Sequence, residues 1–248
     1  MTAKDHYAHH LAHFYSWMVG DFSEKQLIQE DFFIRNEITP KFNNLAIDLG
    51  AGNGLQSVSL AKLGFEVIAV DFNKQLLDEL TINKKDLNVT IVCDDAINFL
   101  KHFERNADAI VCMGDTITHL ESNDHVEELL VKISDRLNPE GKLVISFREL
   151  IAELNGAQRF IPVRSDETRI LTCFLEYFPN HVIVHDILHE WQSGTWIQKV
   201  SSYPKLRLSE SYITTILERS NIKVLFTQRL SGMIYLVGEK ASVKASLF

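Results

Sequence analysis

The chain has 248 residues, of which 46% are hydrophobic and 23% are charged, and this composition excludes disordered and fibrous proteins. Its 25 basic and 33 acidic residues give a formal net charge of −8. Because the basic residues form no cluster, such a surface repels phosphate backbones, which argues against a nucleic-acid partner.

The first 44 residues predict a helical cover at the N-terminus. Apolar and aromatic side chains recur at helical spacing from Tyr7 to Met18, and Gly20 interrupts this pattern. Ser23 is the predicted N-cap of a second helix. We therefore expect residues 1–44 to fold as two helices that cover the remainder of the chain.

Residues 45–150 alternate between short apolar runs and amphipathic stretches. The apolar runs are rich in Val, Ile and Leu, as buried parallel strands are, and they lie at 45–49, 66–70, 89–92, 107–113 and 142–147. The stretches between them predict helices over 55–63, 74–83, 96–103 and 124–137. The sequence Asn-Pro-Glu-Gly at 138–141 predicts a turn. This alternation indicates an α/β fold with a doubly wound, mostly parallel sheet.

After residue 150 the pattern changes to longer β-rich runs. Three of them predict the strands of an antiparallel meander over 168–178, 181–191 and 195–203. A helix and two strands of the main pattern then follow over 209–219, 223–227 and 233–238. We therefore predict an insertion over 151–207, a return to a seven-stranded main sheet over 208–240, and a tail over 241–248.

The three cysteines and the N-terminal sequence indicate the cellular compartment in which the protein is expected. Cys93, Cys112 and Cys173 lie far apart in apolar runs, which is typical of reduced thiols in an intracellular protein. No apolar run approaches the roughly 18 residues that a membrane span requires, and the first residues contain no hydrophobic signal region. We expect a cytoplasmic protein with no membrane partner.

A glycine-rich turn follows the first predicted strand. Gly50, Gly52 and Gly54 allow the backbone to turn tightly and to approach a ligand where a Cβ atom would collide. The spacing is G-x-G-x-G, whereas the dinucleotide fingerprint has its third glycine one residue later, where Leu55 stands here. A tight strand-to-helix turn without any ligand is the alternative interpretation.

Carboxylates follow the next two predicted strands. Asp71 can accept hydrogen bonds from both ribose hydroxyls of an adenosine, although it could also cap the helix that follows. Asp94 or Asp95 can accept a hydrogen bond from an adenine amino group, and either is also a favoured helix cap. Because these residues and the glycine turn lie at consecutive strand ends on one edge of the sheet, we expect a single ligand site there.

These segments resemble the class I, Rossmann-like methyltransferases that depend on S-adenosylmethionine, over about residues 40–150 and 205–240. The resemblance implies an enzyme that binds S-adenosylmethionine and releases S-adenosylhomocysteine. The cofactor contacts that it implies are Asp48, Gly50, Ala51 and Gly52 at the methionine part, Asp71 at the ribose, and Phe72, Asp95 and Ala96 at the adenine.

A narrower resemblance concerns the glycine and sarcosine N-methyltransferases. The stretch Cys-Met-Gly-Asp-Thr-Ile-Thr-His-Leu at 112–120 is similar to their L-G-N-S-x-x-H-L stretch, although Asp115 stands where that group carries Asn. Met113 is a candidate cofactor contact in this stretch. Because Asp115 and His119 lie just past a strand end on the ligand side, either can polarise or deprotonate the acceptor, with an ordinary loop histidine as the alternative for His119. The segment 143–148 resembles their I-D-H-R stretch, which implies that Arg148 holds a substrate carboxylate, with a surface ion pair to Glu149 or Glu153 as the alternative.

Two further positions follow from the same resemblance. The residues Met-Val-Gly-Asp at 18–21 resemble a segment near the aromatic residues that cover the cofactor in that group. Tyr15 is therefore a candidate cofactor contact, with ordinary helix packing as the alternative. Lys25 falls near the position of a basic residue that pairs with the methionine carboxylate.

We therefore predict methyl transfer to a small-molecule acceptor, with an amine or an amino-acid-like compound expected. The alternatives are an NAD-type oxidoreductase and a catalytically silent protein that binds S-adenosylmethionine. No metal site is predicted, because the alternating His181, His185 and His189 fit a groove or subunit contact better. The apolar faces of the meander are equally consistent with a homodimer contact and with a cover for the acceptor pocket.

Overall fold

A computed structural model describes residues 1–102 and 104–242. Its strands are β1 (Leu45–Leu49), β2 (Glu66–Asp71), β3 (Val89–Cys93), β4 (Ala107–Cys112), β5 (Leu137–Arg148), β6 (Phe160–Ser165), β7 (Arg169–Tyr177), β8 (His181–Gln192), β9 (Thr195–Leu206), β10 (Ile222–Leu230) and β11 (Met233–Lys240). Its α-helices are α1 (Ala3–His9), α2 (Tyr15–Val19), α3 (Phe22–Arg35), α4 (Leu55–Lys62), α5 (Lys74–Asn83), α6 (Asn123–Arg136) and α7 (Glu210–Arg219). Over the described ranges, no helix has both the length and the apolarity that a membrane crossing requires.

The large sheet has seven strands in the order β10-β11-β5-β4-β1-β2-β3. Strands β1 to β5 pair in parallel, whereas β11 runs antiparallel to both β5 and β10. The strand order reverses direction between β1 and β4, so the carboxyl ends of these two strands border a crevice where open α/β sheets bind ligands. The predicted doubly wound, mostly parallel sheet of seven strands is confirmed.

Apolar residues on both faces of this sheet are buried under helices. One core joins the sheet to α6 and α7 through Leu129, Ile133 and Ile213, and the other joins it to α3 and α4 through Phe33 and Leu60. All five side chains are fully or almost fully buried. Burial of this kind is the main favourable contribution to folding, and it fixes the strand ends that border the crevice.

The inserted meander forms a separate antiparallel sheet in the order β6-β7-β8-β9. Three of its strands were predicted from the sequence, and the edge strand β6 was not. The inner face of this sheet packs on α1, where the His6 imidazole bonds to Ser201 Oγ at 2.8 Å and to Asp186 Oδ2 at 3.0 Å. The small sheet and the N-terminal helix are therefore joined through a buried polar contact.

The structure corrects three local predictions. Asp21, not Ser23, caps α3, because its carboxylate accepts a hydrogen bond from Glu24 N at 2.8 Å. The N-terminal region contains three α-helices rather than two. The predicted turn at 138–141 is present as an unpaired interruption within the bounds of β5, because pairing with β4 stops at Leu137 and resumes at Lys142, and Glu140 has a positive φ of 61°. The predicted helix over 96–103 is a 3₁₀ helix over Ala96–Lys101, and residues 103 and 243–248 of the predicted elements lie outside the described residues.

Candidate functional site

A cavity of about 1290 Å³ lies at the carboxyl ends of β1, β2 and β4. The glycine-rich turn after β1 forms its floor, and side chains of α1 and α2 contribute a wall that includes Tyr7 and Tyr15. The opposite wall contains Arg148 at the end of β5 and Pro204 of the small sheet. The cavity thus extends from the glycine turn to the inserted sheet.

The three glycines of the turn serve different purposes. All have positive φ, at 78° for Gly50, 52° for Gly52 and 93° for Gly54, where a side chain is strained. A Cβ atom on Gly50 would lie 2.2 Å from Thr116 Oγ1, and one on Gly54 would lie 2.1 Å from a methyl group of Leu80. The nearest atom to a Cβ atom on Gly52 is Tyr15 Oη at 3.6 Å. Gly50 and Gly54 therefore allow close packing within the protein, whereas a Cβ atom on Gly52 would make ordinary van der Waals contact with Tyr15 at the cavity lining.

Asp71 lies at the cavity wall with both carboxylate oxygens bound to backbone N–H groups. Oδ2 accepts from Gly52 N at 2.8 Å, and Oδ1 accepts from Asn73 N at 2.7 Å. Burial raises the pKa of Asp71 to about 6. The cap of α5 is Asn73, whose side chain accepts a hydrogen bond from Leu76 N. Asp71 is therefore not the helix cap, and its oxygens retain lone pairs that can accept further hydrogen bonds.

Asp48 was predicted to contact the cofactor, but it is absent from the cavity lining. Its carboxylate accepts a hydrogen bond from Ser57 Oγ of α4 at 2.6 Å, and burial raises its pKa to about 7. In this structure Asp48 thus fastens the glycine turn to the helix behind it. Any influence on a ligand would be exerted through the position of the turn.

Of the Asp94–Asp95 pair, Asp95 lines the cavity together with Ala96. Lys4 of α1 forms an ion pair with Asp95 at 2.8 Å. The Asp94 carboxylate instead contacts His102 Nε2 at 2.7 Å and Asn98 Nδ2 at 3.1 Å. The geometry therefore favours Asp95 as the residue that faces a ligand.

The remaining predicted cofactor contacts also line the cavity, and they are Gly50, Ala51, Gly52, Phe72, Met113, Tyr15 and Lys25. The ring of Tyr7 packs edge-on against Phe72 and His119, with centroid distances of 5.6 Å in both cases. Lys25 is exposed, and no described residue forms an ion pair with it. The N-terminal helices thus contribute aromatic surface and one free cation to the cavity.

The acceptor end predicted from the sequence contains a cluster of three charges. Asp115 Oδ1 accepts a hydrogen bond from Arg148 N at 2.6 Å, and Oδ2 contacts both the Arg148 guanidinium and Lys205 Nζ, the latter at 2.8 Å. Burial opposes the ionisation of Asp115, but the charges of Lys205 and Arg148 outweigh it and hold its pKa below the usual range.

Asp115 therefore does not suit the predicted role of a general base. It is absent from the cavity lining, and its two oxygens already bind two cations. Arg148, in contrast, lines the cavity, and its side chain is 49% exposed. Asp115 thus orients Arg148, which is the member of the cluster that a ligand can reach.

His119 lines the cavity beside this cluster. Its ring stacks on Tyr203 at 5.5 Å, and burial lowers its pKa to about 3, with a further contribution from the Lys205 charge. Its Nδ1 atom is buried and has no hydrogen-bond partner within the part of the chain that the structure describes. A neutral imidazole therefore lines the acceptor end of the cavity.

Lys205, His6 and Tyr203 also lie around the site, and they were not among the predicted site residues. Tyr203 stacks between His6 at 4.1 Å and His119 at 5.5 Å, and thus links α1 to the cavity wall. The local signals in the sequence were the i, i+4 spacing of His6 and His10 and a lysine, Lys205, between the apolar Pro204 and Leu206. Over residues 1–102 and 104–242, no group of three or more His, Cys, Asp or Glu side chains could hold a metal ion.

The strand order, the antiparallel β11 and the glycine turn at the crevice define a class I methyltransferase fold. The family model described as "Methyltransferase domain" matches residues 46–141. In solved structures, an S-adenosylmethionine-dependent methyltransferase from Clostridium acetobutylicum gives a TM-score of 0.71 at 14% identity, over 90% of this chain and 93% of that one. The predicted resemblance to class I methyltransferases is confirmed.

Two relatives with assigned activities are similar to part of the chain. The glycine/sarcosine N-methyltransferase of Halorhodospira halochloris is 28% identical over 130 residues, which are 52% of this chain and 48% of that protein. The mitochondrial ubiquinone biosynthesis O-methyltransferase of Schizosaccharomyces pombe is 29% identical over 113 residues, which are 44% of this chain and 40% of that protein. The matches thus span less than half the length of either relative.

Proposed function

We propose that this protein transfers a methyl group from S-adenosylmethionine to the nitrogen of a small, amino-acid-like amine. The observation that carries the proposal is one continuous cavity that has the glycine turn and Asp71 at one end and Arg148 and His119 at the other. Such a cavity has room for a nucleoside cofactor and a small acceptor side by side. The similarity to a glycine/sarcosine N-methyltransferase supports an amine acceptor.

The cavity residues fit S-adenosylmethionine. Gly52 lines the cavity where the methionine part would lie, Asp71 can accept from ribose hydroxyls, and Asp95 can accept from an adenine amino group. The free cation of Lys25 suits the methionine carboxylate. The bound cofactor would supply a methyl group on a sulfonium, which is electrophilic without further activation.

The task left to the protein is to orient the acceptor and to keep its nucleophile unprotonated. The Arg148 guanidinium can hold a carboxylate of the acceptor, because its remaining N–H donors are directed by the bond to Asp115. The neutral His119 imidazole lines the cavity, and its unprotonated nitrogen can accept a hydrogen bond from the amine. The positive charge of the cluster disfavours a second cation nearby, and thus favours the neutral, nucleophilic amine over the ammonium form.

The same groups are poorly suited to a hydroxyl acceptor. A hydroxyl needs a base that removes its proton during attack. His119, with a pKa of about 3, binds a proton too weakly for that purpose, and the Asp115 carboxylate is engaged by two cations. This favours N-methylation over the O-methylation performed by the ubiquinone relative.

Calorimetric titration with S-adenosylhomocysteine tests the cofactor assignment. We expect micromolar binding, with no comparable binding of NADH. A radiolabelled methyl-transfer screen with glycine, sarcosine and small amines then tests the acceptor class, and catechols serve as the control for O-methylation. Preference for NADH would contradict the proposal, and so would cofactor binding with transfer to catechols alone. Binding without transfer to any acceptor would indicate a silent cofactor-binding protein.

A further inference from the structure

We propose that Lys205 is a positioning residue that keeps Arg148 available to an anionic group of the acceptor, an inference that rests on the proposed function. Lys205 belongs to β9 of the inserted sheet, whereas Asp115 and Arg148 belong to the main sheet and its loops. The insertion thus supplies one charge to a cluster whose other two members lie on the core.

Asp115 is shared by two cations, and this sets the balance of charge in the cluster. A carboxylate paired with a single guanidinium would be electrically neutral, and an acceptor carboxylate would have to compete with Asp115 for Arg148. Lys205 Nζ lies 2.8 Å from the same Oδ2 atom that contacts Arg148. Two cations therefore share one carboxylate, and one positive charge remains uncompensated within the cluster.

The burial of the three side chains determines where that charge is presented. Asp115 is 2% exposed and Lys205 is 9% exposed, whereas the Arg148 side chain is 49% exposed and lines the cavity. A buried cation is stable only beside a counter-charge, so Lys205 remains with Asp115. An anion that enters the cavity meets Arg148, which is the accessible member of the cluster.

Changes at Lys205 and Asp115 should therefore have opposite effects on anion binding. Lys205→Met removes the extra positive charge and should weaken binding of a carboxylate by about tenfold. Lys205→Arg preserves the charge and should restore most of the affinity. Asp115→Asn removes the competing carboxylate and should strengthen anion binding, and the double variant Asp115→Asn/Lys205→Met should be close to the wild type.

Acetate is the probe, titrated into protein saturated with S-adenosylhomocysteine and followed by the line width of its methyl proton signal. Lys142→Met is the matched control, because Lys142 is also buried, pairs with Glu239 at 2.7 Å and lies six residues before Arg148 in β5. We expect unchanged acetate affinity in this control. Melting temperatures report separately on folding, and S-adenosylhomocysteine affinity should be the same in all variants.

The outcomes separate this inference from the proposed function. Failure of the wild type to bind S-adenosylhomocysteine would contradict the proposed function. Intact cofactor binding with no acetate binding would overturn the role of Lys205. Equal losses in Lys205→Met and Lys205→Arg, or weaker acetate binding in Asp115→Asn, would do the same, since these results indicate structural damage rather than charge balance. If Lys205→Met does not fold, Asp115→Asn provides the test. Stronger acetate binding in that variant supports the inference, and weaker binding overturns it.

Discussion

Asp71 and Asp115 are both buried aspartates near the cavity, but their surroundings have opposite electrostatic effects. Asp71 is bound by backbone N–H groups alone, and burial raises its pKa to about 6. Asp115 lies against two cations, and these lower its pKa below the usual range in spite of burial. Asp71 can therefore respond to a ligand that stabilises its charge, whereas Asp115 is fixed in its ionised form.

This contrast predicts how the cofactor site responds to a loss of charge at Asp71. Asp71→Asn should weaken binding of S-adenosylhomocysteine by roughly 1.5–3 kcal/mol, the usual contribution of hydrogen bonds to a charged group. Calorimetry measures the change. Asp86→Asn is the control, because Asp86 is exposed and absent from the cavity lining. Similar losses in the two variants would contradict the ribose assignment.

Proton release on ligand binding provides a second test of the role of Asp71. Hydroxyl donors stabilise the carboxylate, so ligand binding should lower the pKa of Asp71 from about 6 and release protons near pH 6. The affinity should accordingly rise between pH 5 and pH 7. Titrations in two buffers with different ionisation enthalpies detect the release, which should be missing in Asp71→Asn.

At the scale of elements, one carboxylate fixes the loop that leads into β1. Asp108 Oδ2 accepts hydrogen bonds from four consecutive backbone N–H groups, those of Lys41, Phe42, Asn43 and Asn44, at 2.9 to 3.2 Å. Asn138 Nδ2 donates to the other oxygen at 2.7 Å. Because Asp108 is buried, these donors would have no equivalent partner if the carboxylate were removed.

We therefore expect Asp108→Ala to lower the free energy of unfolding by roughly 3 kcal/mol, as for a buried, charged hydrogen-bond acceptor. Urea denaturation measures this value. The exposed Asp86 provides the control, and Asp86→Ala should leave the midpoint almost unchanged. A midpoint shift no larger in Asp108→Ala than in the control would show that the loop does not depend on this carboxylate.

Elements with a strong local pattern were predictable, and those defined by distant contacts were not. The run at 45–49 coincides with β1, because all five of its residues are buried. The edge strand β6 has mostly exposed or half-buried side chains and contains Pro162, so neither alternation nor burial distinguishes it from a loop. The Asn-Pro-Glu-Gly sequence has turn chemistry, and it interrupts the pairing of β5, which leaves β4 after Leu137 and rejoins it at Lys142.

The residues of the candidate site divide in the same way, into those predicted by a local pattern and those placed by distant contacts. The glycine turn, Asp71 and Asp95 each follow a predicted strand, so the parallel topology was enough to place them at one edge. Lys205 reaches Asp115 across 90 residues, and His6 reaches Asp186 across 180 residues. No local pattern specifies such pairs, because their geometry depends on how the inserted sheet docks on the core.

At the scale of the whole molecule, this docking connects the two sheets through polar contacts. His6 joins α1 to Asp186 and Ser201 of the small sheet, and Lys205 joins that sheet to Asp115 of the core. These groups are buried, and breaking either contact would leave a buried polar group or charge without its partner. The cavity walls that belong to different parts of the chain are therefore held in a fixed relation.

The stability of the whole molecule should depend on pH through Asp48. Burial raises its pKa in the folded protein to about 7, whereas an exposed aspartate in the unfolded chain has a pKa of about 4. Between these values the folded state binds a proton that the unfolded state does not. The contribution of Asp48 to the free energy of unfolding therefore decreases as the pH rises from about 4 to 7, and stays low above pH 7.

Asp48→Asn isolates this effect, because an asparagine oxygen can still accept the hydrogen bond from Ser57 without carrying a charge. Relative to the wild type, the variant should gain roughly 2 kcal/mol in stability at pH 8 compared with pH 5. Urea denaturation at the two pH values measures the difference in free energy of unfolding between the variant and the wild type. The titration of all other groups is common to both proteins and cancels to first order. An equal difference at both pH values would mean that Asp48 in the folded protein does not titrate between pH 5 and pH 8, which contradicts a pKa of about 7.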